Sequence, residues 1–336
     1  MGDHVALSPL PPLNGANRLL ELELMNRWST RTWTCLYVIP PCQAYLQESL
    51  PRAALQNNYL MNAIFSLAAA DLACSASNDT TLAQEKAKYF CAALHYGNEA
   101  AREFRSHVHG VTPHNIELLM YFSTVIALLN FVTPVEGTTA LGRVGKYFDM
   151  VGGMFGIAAT HTQWLLDSSA PARAAAVGYG PDAMLMKRID HETMAALDIL
   201  SSVSRRVGEG EADGAQYKLA VAQTRYSFAE DAVGRMKGYF STIPAVGMEL
   251  ANGARHMDPM ALFVFMYFGV LLDRSSRDPM MWVLGSVGRE LVDETSVMVL
   301  ASSIAGIPGV REGIEWARNE VELPTLGRSS TLLLEM

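Results

Sequence analysis

The sequence predicts an all-α fold, a single-domain bundle of many helices. Apolar residues recur at three- and four-residue spacing in almost every segment, and no two runs show the alternation and turn chemistry of a β-hairpin. With 336 residues, half of them hydrophobic, the chain is long enough to bury a large core.

Residues 1–17 hold Pro, Ser, Gly and Asn without periodicity and read as a flexible leader. The helical body is expected over 18–322. Leu19, Leu22, Met25 and Trp28 recur at helical spacing with Glu21, Glu23 and Arg27 between them, an amphipathic first helix. Pro40-Pro41 breaks the chain. From Tyr59 to Cys74 an Ala-rich run without Gly or Pro, apolar on nearly all sides, predicts a central helix. A second long helix runs from Leu82 to His107. Thr112-Pro113 offers an N-cap and a first-position proline for a helix from Pro113 to about Val132, stopped by Pro134. Further helices are expected over Leu141–Phe155, Met184–Val207, Ala215–Tyr239, Pro259–Arg274, Met281–Ser303 and Val310–Val321. Ser168–Pro181 and Gly208–Gly214 read as loops, and residues 323–336 as a loose tail.

Composition narrows the function. The formal net charge is -8 and charged residues make up 18%, so a nucleic-acid partner is not expected. The 18 Met residues suit either irregular core gaps or an adaptable pocket for apolar ligands. Cys35, Cys42, Cys74 and Cys91 form no C-x-x-C pair, which argues against a zinc cluster and a disulfide framework and for reduced, buried thiols. The start lacks the basic and apolar regions of a secretory signal, and Ala6 stands where myristoylation requires Ser or Thr. The longest apolar run, Met260 to Leu272, falls short of a membrane span. The expected location is cytoplasmic, which makes the sequon at Asn78 an ordinary loop.

Sharp catalytic motifs fail on inspection. His191-Glu192 begins like a zinc-protease helix, but Ala195 replaces the second histidine. Gly145-Lys146 ends like a phosphate loop, yet its glycine spacing is wrong and Tyr147 replaces the metal-binding hydroxyl. Gly208-Glu209-Gly210 follows a helix and is no dinucleotide fingerprint, and no G-x-S-x-G elbow occurs. His107 and His109, two apart, would need an extended turn with His114 to share a metal. The expectation is therefore no metal and no cofactor.

What remains is a set of polar and aromatic side chains in apolar surroundings. Asp71, in the Ala-rich helix, must be paired, capped or titrated upward. Tyr121, Ser123, Thr124, Asn130 and Tyr267 are either satisfied core groups or handles that orient a ligand. His161 and Trp164, between Gly156 and Pro171, and Trp282, after Pro279, either plug the core or close a pocket.

The order of these patterns resembles the effector region of fungal binuclear zinc-cluster transcription regulators of the sterol-uptake-control type. The residues concerned are Leu19 to Met25, Tyr59 to Ala73, Tyr89 to Phe104 leading into Thr112-Pro113-His114-Asn115, Ser123, Asp258 to Leu262, Val270 to Arg274, Trp282, Gly285 and Ile307-Pro308-Gly309. The resemblance spans about residues 18 to 320. Asp71 and Asp273 stand where that family usually has His, and the family's upstream cysteine cluster is missing from this sequence. Stand-alone proteins of this kind are similar to the hetero-Diels-Alderases of tropolone-sesquiterpenoid biosynthesis. That implies a cofactor-independent pericyclase acting on an apolar terpenoid or sterol-like molecule. Orientation alone contributes about 7–11 kcal/mol of barrier lowering. Loss of water to make a diene would call on Asp71, Tyr121 or His161 as the acid-base group. Phe122, Ser123, Trp164, Phe263, Tyr267 and Trp282 are the candidate substrate-binding side chains. Two other readings stay open: a ligand-binding effector domain that acts through a protein partner, and a helical dimerisation domain with a plugged cavity, a homodimer.

Overall fold

The computed structural model describes residues 15–36, 42–75, 83–107, 109–133, 137–168, 185–208, 214–234 and 248–326. Every regular element among the described residues is helical. The all-α, single-domain expectation is met.

The first helix, α1, spans Gly15–Thr30 and so takes in three residues assigned to the leader. It buries only the C-terminal part of the face expected, Trp28 with Met25 packed on the core, and Leu24 replaces Leu19 and Leu22. Leu24 and Trp28 are fully buried, whereas Leu19 is 71% and Leu22 61% exposed. Leucines stand on both sides of this helix, and polar contacts select between them. Tyr89 donates to Glu23 at 2.6 Å and Tyr96 reaches Glu21 at 3.5 Å, while Trp28 Nε1 donates to the Leu46 carbonyl at 2.9 Å. A 3-10 turn, Thr32–Leu36, follows. Pro40-Pro41 lies outside the described residues. Short α2 (Cys42–Ala44), a π-helical turn (Tyr45–Ser49) and α3 (Leu50–Ala54) then lead into the core.

Helices α4 (Asn58–Ser75) and α5 (Ala83–His107) form an antiparallel pair, since Tyr59 meets Phe104 and Phe65 meets Tyr96. Ala side chains and a Ser66 hydroxyl bonded to the Ala93 carbonyl at 2.6 Å let the two backbones approach. Helix α6 (Ile116–Val132) starts three residues later than expected. The Asn115 side chain accepts from the Thr112 N–H at 2.7 Å and donates to the Gly110 carbonyl at 3.0 Å. Those bonds fold Thr112-Pro113 into a turn before the helix. Helix α7 (Ala140–Thr160) is capped by the Thr139 hydroxyl at the Gly142 N–H, 3.1 Å, and outruns its expected end. A single turn, α8 (Thr162–Leu166), closes this side.

Two runs expected to be continuous are split. A 3-10 turn at Leu185–Arg188 precedes α9 (His191–Gly208), because Asp190 accepts the Thr193 N–H at 2.8 Å and restarts the helix. After α10 (Gly214–Asp231) comes α11 (Met248–Arg255), which the sequence reading missed, and α12 (Pro259–Ser276). Asp258 caps α12 at the Ala261 N–H, 2.6 Å, with Pro259 at the first position. The 3-10 turn Pro279–Leu284 is parted from α13 (Val287–Leu300) by Gly285 at φ +47°. Helix α14 (Val310–Glu320) begins at Gly309, φ +100°.

Helix α12 is the centre of the molecule, buried from Met260 to Leu272. It packs on α13 at backbone distance. A Cβ added at Gly288 would lie 2.3 Å from the Asp273 amide nitrogen and 2.6 Å from the Gly269 carbonyl. The body extends past its expected end at 322. The Arg318 side chain donates to the Pro324 carbonyl at 2.8 Å, and Leu323 and Leu326 pack on the core. Among the described residues no single helix is long and apolar enough to cross a membrane. Cys35 is buried as expected, whereas Cys74 and Cys91 are exposed.

Candidate functional site

The nine side chains singled out from the sequence do not converge on one place. Asp71 is fully buried at the end of α4 and its carboxylate is occupied. Arg27 donates through Nε at 2.8 Å and Nη2 at 3.0 Å, Thr32 at 2.8 Å and Ser75 at 3.3 Å, with Arg31 3.5 Å away. Of the alternatives open from sequence, this is pairing, and the pair ties α1 to α4. Phe263 and Tyr267 lie at the heart of the core. Tyr267 donates to the Ala196 carbonyl at 2.9 Å and stacks on Trp316 at 5.1 Å, which makes it a satisfied core hydroxyl. Burial pushes its phenol far above the ordinary value.

Residues of α6 spread around the helix, since neighbours in sequence project about 100° apart. Phe122 points to the α4–α5 pair, stacked on Phe104 at 4.4 Å and edge-on to Tyr59 at 5.3 Å. Ser123 is half-buried and makes no hydrogen bond among the described residues. Thr124 donates to the Met120 carbonyl at 2.9 Å and Asn130 to the Ile126 carbonyl at 3.0 Å, each inside its own helix. His161 stacks on Trp164 at 4.0 Å and 9°. Trp164 belongs to a small satellite of apolar residues, Ile116, Ala158 and Leu165, beside the first turn of α6.

Tyr121 has the most suggestive surroundings. Its ring stacks on Tyr45 at 5.0 Å and 26°. Tyr45 sits on the π-helical turn, a rare element frequent at functional sites, and its phenol faces the charge of the Glu117 carboxylate. Burial first, then the charge of Glu117, push the Tyr45 phenol well above its ordinary value, so it stays a proton donor. Glu117 and Tyr121 are four apart on α6 and share a face. That spacing was readable, as Glu117 is the one carboxylate in α6. Tyr45 was not readable, because nothing in sequence joins it to a helix about 70 residues later.

Three further elements wall this corner. The turn Thr32–Leu36 packs on the π-helical turn, and the 3-10 turn Pro279–Leu284, which carries Trp282, packs on Thr32–Leu36, on α6, on α4 and on α12. The π-helical turn is pinned to α1 by the Trp28 bond and by Gln47, whose side chain donates to the Ser29 carbonyl at 3.1 Å. A phenol–carboxylate pair, a stacked second tyrosine and a tryptophan thus lie on elements that touch one another. The arrangement sets a buried phenol beside a carboxylate among aromatic rings. Among the described residues no three His, Cys, Asp or Glu side chains group to hold a metal. Compared with known proteins, the chain matches no family model, no curated protein and no solved structure.

Proposed function

We propose that this chain binds an apolar, unsaturated small molecule of terpenoid or sterol-like kind at the corner of Tyr45, Glu117 and Tyr121, and promotes its cyclisation as a cofactor-independent pericyclase of hetero-Diels-Alder type. The observation that carries the reading is the half-buried Tyr45 ring stacked on Tyr121, with the Glu117 carboxylate beside the Tyr45 phenol. It takes over the acid-base part assigned from sequence to Asp71, Tyr121 or His161. The resemblance to fungal effector regions and their stand-alone relatives supports the substrate class.

Glu117 accepts a proton from carbon while a phenol protonates the leaving oxygen, and water departs. Proton return from Glu117 to the phenolate restores the pair. The diene then closes on its partner, three π bonds becoming one π bond and two σ bonds, with no change of oxidation state. Aromatic walls hold the partners at reacting distance, and that positioning supplies most of the acceleration.

The test is incubation of the protein with a fungal terpenoid extract, with mass spectrometry of bound and transformed species against boiled protein. New or stereochemically enriched products are expected, falling at least tenfold in Glu117→Gln. A molecule retained unchanged would support instead a ligand-binding effector domain that acts through a protein partner.

A further inference from the structure

Helix α1 turns to solvent a face that carries a pattern of its own. Leu24 and Trp28 anchor the helix to the core, and on the opposite side Arg18, Leu19, Leu22, Glu23 and Asn26 are all exposed. A single surface leucine needs no explanation. Here two of the most exposed leucines of the described residues stand one turn apart, with a cation on one flank and an anion on the other.

The five residues fit the heptad of a parallel two-stranded coiled coil. Leu19 and Leu22 take its a and d positions, Asn26 the next a, Arg18 the g before the leucines and Glu23 the e after them. Successive residues project about 100° apart, so Arg18 and Glu23 lie on opposite sides of the leucine pair. About a two-fold axis along the helix, Arg18 of one copy then meets the partner's Glu23, and the reverse. An antiparallel pair would set Arg18 against the partner's Arg18 and Glu23 against the partner's Glu23, and like charges oppose it. Asparagine at an a position points the same way, because it meets its counterpart only in the parallel register. Both charges are free to take part. Arg18 makes no ion pair among the described residues, and Glu23 accepts from Tyr89 through Oε1 at 2.6 Å, which leaves its second oxygen.

We propose that this face of α1 is a self-association surface: Leu19, Leu22 and Asn26 pair in parallel with the same residues of a second copy, flanked by reciprocal Arg18–Glu23 ion pairs. The charge pattern selects a second copy as the occupant, since it is complementary to itself. So short a seam falls below the about 1,200 Å² that stable interfaces bury, so the dimer is weak and depends on concentration. None of this depends on the small-molecule reading of the corner.

Sedimentation equilibrium of the full chain, from low micromolar to submillimolar concentration, tests it. The wild type is expected to shift from monomer to dimer, Leu22→Asp to stay monomeric, and Arg18→Glu to weaken association about tenfold. Adding Glu23→Arg to Arg18→Glu restores opposite charges in the parallel register alone, and association is expected to return. Hydrogen exchange of the wild type at the two ends of the concentration range locates the surface without any variant, with slower exchange expected in α1. A wild type that stays monomeric overturns the proposal, as does a dimer that survives Leu22→Asp or slows exchange only outside α1. A double variant as weak as Arg18→Glu overturns the parallel pairing.

Discussion

Helices α4 and α12 are both buried on nearly every side, yet they hold their polar groups and their neighbours by different means. In α4 the Asp71 carboxylate is met by Arg27, Arg31, Thr32 and Ser75, whereas in α12 the Tyr267 phenol needs only the Ala196 carbonyl. A charge withdrawn from water loses far more solvation than a hydroxyl, so it recruits several donors. The helix contacts differ as well. A Cβ at Gly97, on the α4–α5 contact, would meet the Ser66 side-chain oxygen at 3.1 Å, whereas one at Gly288 would meet backbone at 2.3 Å. Side chains can give way; backbone in a packed helix cannot.

The largest effect is expected at that second contact. Gly288→Ala should lose more than about 3 kcal/mol, because relief requires α12 and α13 to separate, while Gly97→Ala should lose about 1 kcal/mol or less. Urea midpoints of the two variants measure the difference, and equal losses would break the contrast. Next comes the charge. Arg27→Met strands the Asp71 carboxylate with weaker partners and should cost roughly 3 kcal/mol, with much of it recovered in the double variant Arg27→Met, Asp71→Leu. A double-variant cycle reads this coupling, and additive losses would show that Asp71 does not need Arg27.

A smaller loss, about 1 kcal/mol in the same urea measurement, is expected for Tyr267→Phe. The Ala196 carbonyl keeps its place in α9 and only one neutral bond disappears. The smallest effect is alkaline. Burial, then bonds and charge from Glu23 and Glu21, push the Tyr89 and Tyr96 phenols from 10.0 up to about 12. The folded protein therefore keeps protons that the unfolded chain sheds above pH 10. Stability from this α1–α5 contact is fully present below about pH 10 and is lost as pH rises toward 12. Tyr89→Phe should flatten that slope in thermal melts, and an unchanged slope would remove Glu23 as its source.

Helices whose apolar pattern is unambiguous were legible. The Ala-rich stretch of α4 and the apolar run of α12 have no polar face, so each could only be buried. Their ends were legible where a cap stands in sequence, as Asp258-Pro259 does for α12. Boundaries set by side chains reaching over several residues were not, as Asn115 shows by turning Thr112-Pro113 out of α6. Leu19 and Leu22 of the face expected for α1 lie outside because leucines stand on both sides, and the choice belonged to partners on α5. For the candidate site, Tyr121 was visible, whereas Tyr45 required the π-helical turn to be brought onto α6.

The sequence by itself determined that the regular elements of this chain's described residues are helices, because helical periodicity, Ala content and capping residues are local and act within a few turns. It also determined that Asp71 had to find partners, since desolvating a carboxylate is costly in any fold. Only the tertiary structure decided which partners those were, and that Tyr45 would lie on Tyr121 beside Glu117. Contacts between distant segments depend on how whole helices pack, and helical spacing carries no record of which face meets which neighbour.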